Sequence, residues 1–154
     1  MHKHTKASYL IITVIILTGL GAWIQFKDKK IDTLPATNIG KELEKANIIR
    51  LESPRPNEVI KSPLVLKGEA RGYWFFEASF PISLVDWDGR IIGQGFATAD
   101  GEWMTVEFVP FTATVNFTVD PDVYSKRGFL ILQKDNPSGL PEHDDALEIP
   151  IMYE

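Results

Sequence analysis

From residue 111 to residue 119 the chain alternates without exception: Phe111, Ala113, Val115, Phe117 and Val119 are apolar, and Thr112, Thr114, Asn116 and Thr118 between them are polar. Such a run fits a strand with one dry face and one wet face, because successive side chains of an extended chain point to opposite sides. The same period recurs upstream. Leu64, Leu66, Gly68 and Ala70 oppose Val65, Lys67 and Glu69. From Trp74 onward, Trp74, Phe76, Ala78, Phe80, Ile82 and Leu84 oppose Phe75, Glu77, Ser79, Pro81, Ser83 and Val85. Residues 62–84 therefore predict two consecutive strands that organise the core, with Trp74 and Phe76 at its centre.

Turn chemistry separates the runs. Asp88-Gly89 and Asp100-Gly101 offer the glycine that accepts positive φ in a tight turn. Further strands are predicted over residues 48–51, 90–98, 103–109, 129–134 and 147–153. Pro110 is expected to break or bend the run that precedes it. Pro150 is expected to place the last strand at an edge, where a missing donor costs least. No stretch from residue 48 to the end repeats its apolar residues at helical spacing. The pattern predicts an all-β fold, an immunoglobulin-like β-sandwich of seven to eight strands over residues 48–154. The chain has no cysteine, which excludes a disulfide staple, a thiolate zinc site and a cysteine nucleophile. Packing has to hold the domain, at roughly 1.5–3 kcal/mol for each large apolar side chain buried.

Residues 7–26, ASYLIITVIILTGLGAWIQF, carry no charge and are flanked by Lys3 and Lys6 on one side and Lys27, Lys29 and Lys30 on the other. That is long enough to span a bilayer core as a helix, with Tyr9, Trp23 and Phe26 suited to its interfaces. A cleaved signal peptide shares the basic start and apolar run. The absence of an Ala-x-Ala after the run favours an uncleaved anchor. The expected organisation is a short stub at residues 1–6, a transmembrane helix at 7–26, a polar linker at 27–47 and the domain at 48–154. The expected location is the membrane, single-pass, with the C-terminal domain extracytoplasmic.

Charge and residue types then narrow the function. All 21 acidic residues follow the apolar run, against 14 of the 16 basic ones, and an acidic body does not suit nucleic acid, whose phosphates need a basic face. His143 is the one histidine of the predicted domain, so a serine–histidine–aspartate arrangement would rest on a loop residue beside Asp144 and Asp145. Asp86-Trp87-Asp88-Gly89 resembles a fragment of a calcium loop but lacks the later ligands and the closing glutamate. No catalytic residue, metal or cofactor is expected. The aromatics without an inward assignment are the candidate binding surface: Phe75 beside Glu77, Trp87 in the hairpin and Trp103 after Gly101. A ring next to a carboxylate offers both area and direction to a sugar or a peptide. Asp135, Asn136 and Ser138, in a loop pinned by Pro137 and Pro141, form a second candidate surface. The expected partner is a protein or a cell-wall glycan.

The segments SPLVLKGEARGYWFFEASFP at 62–81, DG at 88–89, ATADGEWMTVEFVPF at 97–111 and DNPSGLPE at 135–142 resemble the Gmad2 domain, the immunoglobulin-like domain named for bacterial spore germination proteins. The likeness runs over residues 54–117 and 128–151, essentially the whole predicted domain. It implies an extracytoplasmic, non-catalytic sandwich that serves in binding or assembly. It implies no catalytic residue.

Overall fold

A computed structural model describes residues 37–154, in the order α1 (Thr37–Lys45), β1 (Ile49–Ser53), β2 (Val59–Ile60), β3 (Leu64–Arg71), β4 (Ser79–Val85), β5 (Ile91–Ala99), β6 (Phe108–Val115), β7 (Arg127–Gln133) and β8 (Ala146–Tyr153). The predicted stub, the predicted anchor and residues 27–36 of the predicted linker lie outside the described residues. Among the described residues no helix is long and apolar enough to cross a membrane.

The alternation does what it must. β3 buries Leu64, Leu66 and Ala70 and β6 buries Val109, Phe111, Ala113 and Val115, while the polar residues between them face outward. All eight strands join one curled sheet in the order β1-β3-β6-β5-β4-β7-β8-β2. The all-β expectation holds, with one refinement. The two expected layers are continuous with each other, because β5 pairs with β6 through Thr98–Thr112 and Ala99–Phe111. Beyond that link, β1, β3 and β6 curl over β4, β7 and β8, so that their inner faces share one buried cluster. Phe80 of β4 meets Phe75 and Phe111 edge-on, with ring centroids 5.2 and 5.0 Å apart. That geometry suits the ring quadrupoles.

The aromatic stretch departs from its predicted phase. Trp74 is buried as expected, but it closes a 3-10 turn over Gly72–Trp74 instead of starting a strand. Phe76 and Ser79 then exchange both backbone hydrogen bonds, at 2.9 and 3.0 Å, around a two-residue turn. Its central residues Glu77 and Ala78 take φ of 50° and 61°, the positive values of a primed hairpin turn. Directly opposed residues share a face of the ribbon. Since Phe80 points into the core, Ser79 points out, and so does its partner Phe76. Phe75 takes the inward place, 4% exposed against 40% for Phe76. Phe75 is thus a core residue, which removes it from the candidate binding surface and displaces Phe76 from the centre of the core.

Two prolines are read differently by the fold. Pro110 does not break its strand: it pairs with Glu69 inside β6, and residues 103–107 form a loop where a strand was expected. In an antiparallel strand the N–H and C=O of one residue point to the same side. The Pro110 carbonyl accepts from the Asp100 amide at 2.8 Å, so the missing N–H faces the point where β5 leaves the sheet. Pro150 follows the same rule. It pairs with Phe129 of β7, and its carbonyl accepts from the Asn57 amide at 2.7 Å, on the side where β2 has not yet begun.

The domain also begins earlier than residue 48. α1 belongs to the compact unit that runs to Glu154 and packs against β8 and β1, the strands at the two open sides of the curl. Charges fix it there: Lys41 reaches Glu148 at 2.5 Å, Lys45 pairs with Asp145, and Glu42 pairs with Arg55 at 2.7 Å. The last half of the predicted linker, residues 37–47, is therefore part of the fold.

At the opposite end of β8, the Tyr153 hydroxyl donates to the Val85 carbonyl at 2.5 Å in a buried contact that ties β8 to β4. Burial, and secondarily the Asp86 carboxylate, push the phenol well above the ordinary tyrosine range. The folded state then holds this proton more tightly than the unfolded chain does. The stability it contributes is fully present below about pH 10 and falls as pH climbs from there toward the folded pKa. Alkaline unfolding followed by circular dichroism is expected to show that slope, and Tyr153→Phe to flatten it. An identical slope in the variant would assign it to other groups.

Candidate functional site

The β4–β5 hairpin is built around Asp86. Its carboxylate accepts the amides of Asp88 and Arg90, both at 2.9 Å, and Gly89 supplies the positive φ, at 76°. A carboxylate used this way closes a turn. The turn lifts Trp87 out of the sheet, and a second segment rises beside it. Residues 116–126 leave β6 and are folded by their own turn chemistry: Asp120 accepts the Asp122 amide at 2.9 Å. This places Tyr124 against Trp87, ring centroids 5.4 Å apart and planes at 54°.

The two rings stand over a groove of about 400 Å³. Ile92, Val119 and Val123 give it an apolar floor; Ile91, which is exposed, and Asp120 and Asp122 stand on its rim. Tyr124 is 89% exposed and Trp87 44%, unusual for large rings with a partner at hand. Arg90 also lines the groove, but its guanidinium is engaged by Asp86 at 3.7 Å and Asp88 at 3.3 Å. Asp120 and Asp122 form no ion pair among the described residues.

The sequence-predicted candidates do not converge on this groove, which takes only Trp87 from them. Trp103, Glu77, Asp135, Asn136 and Ser138 lie at the other end of the domain. β5 runs nine residues from the Trp87 hairpin to the loop that holds Trp103, a span of roughly 25–30 Å at strand rise. Trp103 packs partly against the core. With Tyr73, Met104 and Val106 it borders a shallow apolar depression. That loop is held close to Gly72, where an added Cβ would lie 2.0 Å from the Thr105 carbonyl oxygen. Glu77 sits in the primed turn. The Asp135 amide donates to the Trp74 carbonyl at 3.1 Å, and Asn136 donates to the Leu140 carbonyl and the Asp144 carboxylate, both at 2.8 Å. The Asn136 side-chain oxygen accepts from both the amide and the hydroxyl of Ser138. These polar atoms fold their own loop.

Tyr124, Asp120 and Asp122 are among the groove residues that sequence reasoning missed. One signal was present: Tyr124 is an isolated aromatic in a polar, turn-rich segment with no alternating neighbour to bury it beside.

The family model for Gmad2, the immunoglobulin-like domain of bacterial spore germination, matches residues 48–139. No curated protein and no solved structure matches the chain.

Proposed function

The chain belongs to the Gmad2 family, the immunoglobulin-like domain of bacterial spore germination, and from that premise we propose that it is a non-catalytic binding or assembly module, anchored in the membrane by residues 7–26 and displayed outside the cytoplasm. The observation that carries the binding role is the Trp87–Tyr124 groove. Two large rings held side by side on loops, with most of one left in water, stabilise the fold little. They offer area to an incoming ligand. Loops on a rigid β scaffold are where binding concentrates.

A photo-reactive side chain at Tyr124 in the full chain, activated in the native envelope, is expected to give a discrete adduct. The same group at Glu52, exposed on β1, is expected to give none. Trp87→Ala should reduce the Tyr124 adduct about five- to tenfold, the loss of one ring from an aromatic pair. Equal adducts at both positions, or an adduct indifferent to Trp87→Ala, would remove the groove as the contact. Protease added to intact cells is expected to degrade the domain, and full protection would reverse the topology.

A second reading, a binder of wall glycan, draws on the same rings beside carboxylates. It predicts that purified peptidoglycan retains the full chain and that Trp87→Ala releases it.

A further inference from the structure

The groove's chemistry points to a ligand with an apolar stem and a cationic end, and we infer that it receives a lysine side chain from a basic polypeptide. The inference rests on the groove being the binding site. Three features select this class. The floor is aliphatic, from Ile92, Val119 and Val123, and takes methylene groups. The rim holds the carboxylates of Asp120 and Asp122 without ion-pair partners among the described residues, and Arg90, the cation in the groove lining, is already matched by Asp86 and Asp88. Trp87 and Tyr124 present the π-faces that attract an ammonium within about 6 Å. A lysine meets all three at once, four carbons along the floor and the charge between rings and rim.

An anion would meet two unscreened carboxylates, and an uncharged apolar side chain would leave them desolvated without return. Contact with the ammonium is solvent-facing, so affinity is modest per site and falls with salt. An extended basic segment would present side chains in succession along the groove mouth.

The test is a titration of the full chain with a capped glycine–lysine–glycine–lysine–glycine peptide, with its Nε-acetylated twin, and with a tetramer of glucosamine, read by tryptophan fluorescence. Trp87→Phe assigns the signal to the groove ring. The lysine peptide is expected to bind and the acetylated twin to bind roughly tenfold more weakly, since acetylation keeps the stem and removes the charge. Asp120→Asn/Asp122→Asn keeps the turn that Asp120 closes, and should weaken the lysine peptide about fivefold. Glu44→Gln/Glu52→Gln makes the same change in net charge away from the groove and should change binding less than twofold. Equal affinity for the acetylated twin, or equal losses in the two double variants, overturns the lysine inference. Binding of the glucosamine tetramer alone also overturns it but leaves the groove as a binding site. Absence of all binding, together with an adduct at Tyr124 that ignores Trp87→Ala, removes both.

Discussion

Gly128→Ala is expected to cost about 2–5 kcal/mol of stability, combining overpacking with the loss of a buried hydrogen bond. Gly128 lies on the inward face of β7, opposite Ile151, where the strand passes beneath the contact between Tyr153 and Val85. A methyl group there would sit 2.2 Å from the Tyr153 hydroxyl oxygen and 2.2 Å from the Val85 carbonyl oxygen, the two ends of that bond. Neither can yield cheaply. The carbonyl belongs to the backbone of β4 where it pairs with β7, and the phenol is 3% exposed with nowhere to swing. Forcing them apart strands a buried acceptor as well as a buried donor. A domain of this size has roughly 5–15 kcal/mol in hand, so the variant should unfold at a clearly lower urea concentration by circular dichroism. Tyr153→Phe removes one of the three atoms the methyl meets, leaving the Val85 oxygen and the Cε2 ring carbon at 2.8 Å. The double variant should therefore lose less than the sum of the single ones. An unchanged midpoint for Gly128→Ala would mean that the strands do not approach here as described.

The parts of the fold that were legible in the sequence are those where one local rule decides. Residues 111–119 alternate throughout, and the chain keeps that phase as a strand only to Val115, where β6 ends; Asp88-Gly89 could only turn. The errors fall where a second rule competes with the first. Trp74 to Leu84 keeps a perfect period-two pattern on paper, yet Glu77 and Ala78 adopt positive φ, a conformation that neither residue type announces. A hairpin hidden inside the alternation moves Phe75 and Phe76 to each other's places. Pro110 was read by its missing donor alone, and the direction in which that donor would have pointed depends on where β5 ends, a tertiary fact. α1 is polar in composition yet strongly amphipathic as a helix, so its signal was present in residues 37–45; its partners Glu148, Arg55 and Asp145, up to about a hundred positions away, were not. The groove has the same origin. Trp87 was visible as an aromatic in a turn, but Tyr124 becomes its neighbour only because residues 116–126 fold back beside the β4–β5 hairpin.

The phase of that hairpin can be measured by comparing two adjacent residues of identical chemistry. Phe75→Ala is expected to destabilise the domain by about 3–5 kcal/mol, the usual cost of deleting a buried phenylalanine from a core that relaxes only in part. Phe75 is buried and edge-on to Phe80, which in turn meets Phe111, so the cavity would open at one end of an aromatic chain linking the two halves of the curled sheet. Phe76→Ala, one position along, is expected to cost less than about 1 kcal/mol, because an outward ring loses little contact on truncation. A straight strand from Trp74 to Leu84 requires the opposite ranking, with Phe76 costly and Phe75 nearly silent. The difference between the two unfolding midpoints therefore discriminates the models without reference to any absolute stability. Substituting glycine for Glu77 or Ala78 adds an independent reading. Both hold positive φ, which glycine adopts without the penalty an L side chain incurs, so either change should leave stability equal or raise it if the turn is there. In an extended strand the same glycine would lower it.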